Sequence, residues 1–288
     1  MKSLRTILKN DYSTLMGEKR MEYLIQIKNE NSKEILTQQI ENFEKFRSVN
    51  IKRKHYKIGQ DILLKKGTLI HGTYKNLEGL KEIVKKGLIS SSFINERLSK
   101  YPGCVSVWNL KEDMLLGKYI DFYSGGTIKY RTNAKETTKV ISFSEMKNIL
   151  KYITDLEDMT IWYLEQTKEA RFLPSLVQNT VQIGIVFNGE NREIKELLKY
   201  DVLSENIEDA EVREFVNKDY YNQFIIDRKN KNDLFTDRES AVVFGIPSNF
   251  IEGILVGKIY EQNKEILKEI KSLLPDCYIA NLDGKVIF

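Results

Sequence analysis

A short stretch of the chain, His71-Gly72-Thr73, combines residue types that could bind a sugar joined to an amide. The sequence contains only two histidines, and His71 stands at the end of an apolar run. Gly72 has no side chain, so a ligand could approach its backbone N–H and C=O closely, and a flat amide could pair with both. His71 and Thr73 would flank that amide and could hydrogen-bond sugar hydroxyls. The simpler alternative is a buried histidine at a strand end, with Gly72 serving only the turn.

A second stretch, TDRESAVVFGIPSNFIEGILVG at residues 236–257, offers a carboxylate at the entrance to a strand. Glu239 directly precedes the apolar run AVVF, and an Ile-Pro pair then leads into a turn and a further strand. Asp237 is a local alternative to Glu239, and Glu252 is the next. A charged residue at a strand entry is ordinary by itself, so Glu239 gains weight only together with the first stretch.

The helix that follows the first stretch is delimited at both ends. Asn76 is suited to cap it, Glu78 lies in the first turn where the helix dipole favours a carboxylate, and Gly87 suits the left-handed residue that often ends a helix. The predicted buried stripe consists of Leu77, Leu80, Ile83 and Val84. The strand, the His-Gly-Thr run and this helix therefore form one composite pattern.

Together the two stretches resemble the ADP-ribosyltransferase fold, in the diphtheria-toxin and poly(ADP-ribose) polymerase branch with its His, Tyr, Glu signature. The resemblance extends over residues 65–288 and is specific in two segments, 69–89 and 236–257. It implies an NAD-dependent transferase in which the Gly72 backbone holds the nicotinamide amide. It further implies that His71 and Thr73 bind the NAD ribose on the adenosine side, and that the protein is similar to bacterial or phage effectors and toxins.

Cleavage of the bond between ribose and nicotinamide passes through a cationic sugar, which a carboxylate near the 2′-hydroxyl stabilises. We expect Glu239 to supply that carboxylate. An aromatic ring stacked on the nicotinamide would fix its orientation. The resemblance implies a short helix after the strand VSVWNL that bears this ring. The stretch KEDMLLGKYIDFYSGGT offers Tyr119, which we prefer, and Tyr123 on nearly the same helical face, while Tyr74 is a further candidate.

Three alternatives stay open at this point. The arginine-modifying branch usually carries Glu-x-Glu, whereas Asp237 stands two positions before Glu239, and Ser90-Ser91-Ser92 is interpreted as a polar loop rather than as that branch's Ser-Thr-Ser. The second alternative is a non-catalytic module that binds NAD, ADP-ribose or RNA. RNA 2′-phosphotransfer is the third and is disfavoured, because it would need clustered arginines and another histidine besides His55.

Composition excludes several function classes. The net charge is +4, with 45 basic residues against 41 acidic ones, so charge alone does not indicate a nucleic-acid-binding protein. Cys104 and Cys277 share no ligand spacing with the histidines, so we expect no metal site. The N-terminus lacks an apolar signal-peptide core, and no stretch approaches the roughly 18 apolar residues that span a bilayer. We therefore expect a soluble, cytoplasmic protein without a membrane partner. Its partners would be NAD and a protein or nucleic-acid acceptor.

The pattern of elements predicts an α+β chain. The resemblance implies an ADP-ribosyltransferase-like fold in which two small antiparallel sheets form an NAD cleft. A helical region at 1–60 precedes a catalytic domain at 61–288, which carries a mostly helical insertion at about 145–235. In the first region Leu36, Ile40, Phe43 and Phe46 form an apolar stripe, with Ser32 as a plausible N-cap. This stripe would either pack on the main domain or dock a partner. Strands are predicted at 67–73, 105–110, 137–144, 181–189, 239–247 and 253–258, with a hairpin at 277–288. Further helices are predicted at roughly 145–170, 190–200, 206–222 and 262–273.

Overall fold

The structure is a computed structural model that describes residues 27, 29–73, 76–93, 101–110, 113–115, 128–131, 138–141, 183–230, 239–281 and 284–288. Helices and strands both occur throughout these ranges. The helices are α1 (Glu30–Phe46), α2 (Asn76–Lys86), α3 (Arg192–Leu197), α4 (Asp209–Val212), α5 (Lys218–Asn230), α6 (Lys258–Glu261) and α7 (Lys264–Leu273). Short 3₁₀ turns lie at Ser91–Phe93, Leu198–Tyr200, Arg213–Phe215 and Ser248–Phe250.

Twelve strands lie in the described part of the chain, and most are short. They are β1 (Leu63–Leu64), β2 (Leu69–Thr73), β3 (Leu88–Ile89), β4 (Cys104–Asn109), β5 (Met114–Leu115), β6 (Ile128–Arg131), β7 (Thr138–Ile141), β8 (Ile183–Phe187), β9 (Glu239–Val243), β10 (Gly245–Ile246), β11 (Ile251–Val256) and β12 (Tyr278–Ala280). The α+β class expected from the sequence is confirmed.

Six of the strands form one sheet in the order β12-β11-β8-β2-β4-β9. The pair β11–β12 is parallel and the other pairs are antiparallel, so the sheet is mixed. Three two-stranded antiparallel sheets, β1–β5, β3–β10 and β6–β7, complete the described strands. The sequence predicts two small antiparallel sheets, whereas in the structure six of the described strands form one mixed sheet, because β2 pairs with both β8 and β4.

The pairing between β2 and β4 in the middle of this sheet, called the open joint below, is short. β2 pairs with β8 along its whole length, from Leu69 to Thr73, but with β4 only at Leu69↔Asn109 and Ile70↔Trp108. Beyond Ile70 the two strands no longer pair, although β4 continues to pair with β9 as far as Cys104. The sheet is thus open along one line, between the C-terminal half of β2 and the N-terminal half of β4.

Helix α1 belongs to the core. Leu36, Ile40 and Phe43 are fully buried, and they share a hydrophobic cluster with strand residues of β9. The Phe43 ring meets Phe244 edge to face, 5.1 Å between centroids. Asn29, rather than the predicted Ser32, caps the helix, because its side chain accepts a hydrogen bond from the Ser32 N–H. The predicted stripe is therefore buried within the same fold as residues 61–288.

Helix α2 has the predicted ends. It begins at Asn76 and is followed by Gly87, which has a φ of 90° and donates its N–H to the Ile83 carbonyl at 2.7 Å. Leu80 and Ile83 are buried against the main sheet, and Leu77 and Val84 are partly buried beside them. The helix thus fixes the segment that follows β2.

Other predicted elements met different outcomes. The predicted helix at 206–222 is divided into α4, a 3₁₀ turn and α5. The predicted helix at 145–170 lies outside the described residues. Within the stretch expected to be a short helix after VSVWNL, Met114–Leu115 instead forms β5, which pairs with β1. At the C-terminus, Ala280 bridges to Val286, as the predicted hairpin requires.

The described helices include none that combines the length and apolar character needed to cross a bilayer.

Candidate functional site

His71 lies in β2 opposite Ile185 of β8, and its imidazole reaches toward β4. Nδ1 is 2.9 Å from the carbonyl oxygen of Ser106. A carbonyl can only accept, so Nδ1 carries the proton and Nε2 of the neutral ring is left as an acceptor. Burial lowers the pKa of His71, and the bond to Ser106 offsets only part of this effect. The ring is therefore neutral at pH 7 and presents a hydrogen-bond acceptor at Nε2.

The backbone of Gly72 faces the opening between β2 and β4. Just before β2, the Thr68 carbonyl accepts a hydrogen bond from the Leu110 N–H, 3.0 Å away on the β4 side. In an antiparallel ladder the backbone groups of alternate residues face the same neighbour, so the N–H and C=O of Gly72 face that side too. The Gly72 backbone, which the sequence suggested a ligand could approach, is thus directed toward the β4 side.

At Ser106, the His71 side chain replaces a backbone hydrogen bond of the β2–β4 pairing. If the register Ile70↔Trp108 continued, Gly72 would pair with Ser106. The pairing stops, and the Ser106 carbonyl is bonded by the His71 ring instead. The imidazole therefore keeps the two strands linked while the Gly72 backbone is left directed into the opening.

Glu239 begins β9 and stands directly opposite Trp108 of β4. It is half-buried, and the Ser106 hydroxyl donates a hydrogen bond to its Oε1. The buried Tyr101 lies nearby: burial raises the pKa of its phenol, and the charge of Glu239 raises it further. The carboxylate is thus oriented by a hydroxyl and only partly hydrated.

Ser106 joins the two residues that the sequence singled out. Its carbonyl accepts a hydrogen bond from His71 and its hydroxyl donates one to Glu239, and these two residues lie 168 positions apart in the chain. Sequence reasoning missed Ser106. The available signal was a lone exposed serine between the buried Val105 and Val107, but only the strand register shows which partners that alternation selects.

Thr73 is buried, two residues beyond His71, so both side chains lie on the same face of β2. Glu252, a rival to Glu239, lies on β11, which is separated from β2 by β8. It is therefore remote from this site. Tyr119, Tyr123, Tyr74 and Asp237 lie outside the described residues, so the stacking ring and the nearest rival carboxylate remain predictions.

The serine run, predicted to be a polar loop, enters the 3₁₀ turn Ser91–Phe93, and Ser90 and Ser92 are buried. Ser90 donates its N–H to the Phe244 carbonyl, and the Ser92 hydroxyl accepts from the Gly103 N–H at 3.1 Å. These bonds tie the turn after β3 to the start of β4. Neither serine shares a hydrogen bond with His71 or Glu239.

Among the described residues, no group of three or more His, Cys, Asp or Glu side chains could hold a metal ion. Both cysteines are free and buried.

No family model, no curated protein and no solved structure matches the chain.

Proposed function

We propose that the protein is an NAD-dependent ADP-ribosyltransferase with an ADP-ribosyltransferase-like fold. The observation that supports this most strongly is the chain of contacts His71–Ser106–Glu239 at the open joint of the main sheet. A neutral acceptor nitrogen, a glycine backbone and an oriented carboxylate are the groups that the transfer needs. His71 and Glu239 both contact Ser106, the residue that would pair with Gly72 if the register continued.

The residues at the opening suit NAD. The Gly72 backbone faces it and offers one donor and one acceptor, which is the complement of a carboxamide. His71 Nε2 accepts from a ribose hydroxyl, because Nδ1 is occupied by Ser106. The half-buried Glu239 carboxylate is matched to a cationic sugar.

Each residue then has a separate task. Gly72 orients the nicotinamide, and His71 with Thr73 binds the ribose on the adenosine side. Glu239 binds the 2′-hydroxyl of the nicotinamide ribose and stabilises the positive charge that develops on that sugar. Ser106 is a positioning residue that fixes the Glu239 carboxylate. The stacking ring, Tyr119 or Tyr123, remains a prediction.

NAD supplies an electrophilic sugar to this site. The bond between its anomeric carbon and the nicotinamide nitrogen breaks, and the electron pair leaves with nicotinamide. A nucleophile of a protein or nucleic-acid acceptor forms the new bond and loses its proton.

The test is nicotinamide release and ADP-ribose transfer by Glu239→Gln, with NAD and a cell lysate as the acceptor source. Loss of the charge should slow transfer by roughly 10²–10³-fold, while NAD binding and thermal stability change little. Glu196→Gln, an exposed change on α3, is the matched control and should leave the rate unaltered. Full activity in Glu239→Gln would overturn the mechanism.

The same measurement separates the second candidate, a non-catalytic NAD-binding module. In that case the wild-type chain binds NAD but releases no nicotinamide.

A further inference from the structure

Positive charge is concentrated in one short part of the chain. Residues 45–60 contain six Lys or Arg and no Asp or Glu, a charge of +6 against +4 for the whole chain, so the rest of the chain has a net charge of −2. The positive charge is therefore local rather than a general property of the surface. A segment of this kind can attract an anionic partner to one place on the molecule.

The stretch from Lys52 to Ile58, here called the basic ribbon, forms neither helix nor strand but is fixed to the fold. Arg53 donates a hydrogen bond to the Ile251 carbonyl at 2.9 Å. Tyr56 meets the ring of the buried Tyr278 edge to face, with 5.0 Å between centroids. These two side chains turn inward and anchor the ribbon, so its remaining side chains are presented from a fixed backbone.

The side chains between and beside the anchors are exposed cations. Lys52, Lys54 and Lys57 are exposed, and none of the three forms a salt bridge within the described part of the chain. Glu190 and Glu252 line a recess beside Lys54 and offset part of its charge. Lys52 and Lys57 do not line that recess, so their ammonium groups are the ones most available to a partner.

An aliphatic side chain ends the ribbon. Ile58 is 76% exposed, the highest value among the large hydrophobic residues that the structure describes, and Leu63 shortly after it is 47% exposed. Single exposed aliphatic residues are common on protein surfaces. Here, however, two of the four strongly exposed large hydrophobic residues adjoin the most basic segment, while the other two, Tyr220 and Ile226, lie on α5.

Cations beside an exposed aliphatic side chain match the layers of a membrane surface, in which anionic headgroups cover a hydrocarbon interior. We propose that the basic ribbon is a peripheral binding surface for anionic lipid bilayers. Its exposed lysines contact headgroup phosphates, and Ile58 enters the boundary between headgroups and acyl chains. A single-stranded nucleic acid fits less well, because it binds through stacked rings, and Tyr56 is half-buried against Tyr278.

The sequence led us to expect no membrane partner, because no stretch is long and apolar enough to span a bilayer. Binding to the bilayer surface needs no such stretch. A few lysines and one aliphatic side chain give a reversible association that salt weakens. This surface does not depend on the proposed transferase activity, since none of its residues belongs to the site around His71.

The test is co-sedimentation of the full chain with vesicles of phosphatidylcholine alone or with about 30% phosphatidylserine added. The chain should sediment with the anionic vesicles and not with the neutral ones. Binding should decline steeply as the ionic strength rises, because salt screens exposed charges.

The double change Lys52→Gln/Lys57→Gln should weaken binding to the anionic vesicles by roughly 10- to 30-fold, since each lysine near such a surface contributes about fivefold in affinity. Lys195→Gln/Lys264→Gln is the matched control, because it removes the same charge from exposed positions on α3 and α7. The control should bind as the wild type does.

The aliphatic contact has its own signature. Ile58→Ser should weaken binding by roughly tenfold without changing its salt dependence, because it removes apolar burial and no charge. Ile226→Ser, at a position on α5 that is 50% exposed, is the matched control and should have no effect. Both changes lie at exposed positions and should leave thermal stability nearly unaltered.

Absence of binding to anionic vesicles, equal losses in the lysine pair and its control, or equal binding by Ile58→Ser and the wild type would overturn the proposal. Binding of a labelled single-stranded oligonucleotide without binding of vesicles would overturn it in favour of a nucleic-acid partner. Glu239→Gln should bind vesicles as the wild type does, and Lys52→Gln/Lys57→Gln should release nicotinamide at the wild-type rate. Failure of this proposal is therefore distinguishable from failure of the proposed transferase activity.

Discussion

At the open joint, Ser106 positions His71 and Glu239 through hydrogen bonds, and Glu239 supplies the charge. His71 donates through Nδ1 to the Ser106 carbonyl, and the Ser106 hydroxyl donates to Glu239. One strand residue therefore fixes the tautomer of the imidazole and the orientation of the carboxylate. Neither effect requires Ser106 to touch a substrate, so its role can be separated from that of Glu239 by experiment.

Ser106→Ala should lower the transfer rate by about 10–100-fold with little change in the KM for NAD, since a hydrogen bond to a charged group contributes about 1.5–3 kcal/mol. Ser106→Thr, which retains a hydroxyl, should recover much of the rate. Ser240→Ala is the control: it removes a serine bond between the same two strands, to Asn109 at 3.0 Å. That change should affect stability but not the rate, and a rate loss equal to that of Ser106→Ala would contradict the positioning role.

The protonation of His71 predicts a dependence of stability on pH. Burial lowers the pKa of His71 from its ordinary value of 6.5, so below that pH the unfolded chain binds a proton that the folded chain resists. The free energy of unfolding should therefore decline as the pH falls below 6.5. His71→Asn should show a shallower decline in urea titrations between pH 7 and 5.

The exposed His55 provides the control for that comparison. His55→Asn should retain the pH dependence of the wild type. If His71→Asn and the wild type decline in parallel, His71 does not have the lowered pKa on which its acceptor role depends.

At the scale of elements, helix α2 fixes the segment that follows β2. Helix α2 follows β2 and ends at Gly87, where the chain turns into β3. A Cβ at Gly87 would lie 2.5 Å from Cζ of Phe43 on α1. The helix end is therefore both a turn that requires a left-handed residue and a close contact between α1 and α2.

Gly87→Ala and Gly59→Ala together separate these two effects. Both glycines have positive φ, at 90° and 82°, but a Cβ at Gly59 meets no atom within 4 Å. Gly59→Ala should cost about 1–2 kcal/mol of unfolding free energy from backbone strain alone. Gly87→Ala should cost about 1–3 kcal/mol more, because it also overpacks the contact with Phe43. Equal losses by thermal or urea denaturation would show that the contact relaxes freely.

The elements could be predicted where their signals are local. The caps and stripe of α2, and the runs that became β2, β4, β8, β9 and β11, are encoded within a few residues. The strand Met114–Leu115 was missed because its partner, Leu63–Leu64, lies about 50 residues earlier. The N-cap of α1 was misplaced by three residues, since Asn29 and Ser32 are both suited to capping.

At the scale of the whole molecule, the sequence brought His71 and Glu239 to one site only through a family resemblance. In the structure both residues contact Ser106, through registers that no local pattern encodes: β2 against β4, and β4 against β9. The same registers explain why Ser106 was missed. Leu36, Ile40 and Phe43 are buried in the core that α1 shares with β9. The apolar stripe in the sequence did not decide between this packing and the docking of a partner.

The central claim is that the opening beside Gly72 binds NAD. It is tested most directly by a crystal structure of Glu239→Gln with NAD, a variant that should bind the dinucleotide without consuming it. We predict that the nicotinamide amide pairs with the Gly72 backbone, that a ribose hydroxyl lies within hydrogen-bond distance of His71 Nε2, and that residue 239 adjoins the nicotinamide ribose. NAD bound elsewhere, or a folded crystal that takes up none at millimolar concentration, would contradict the account.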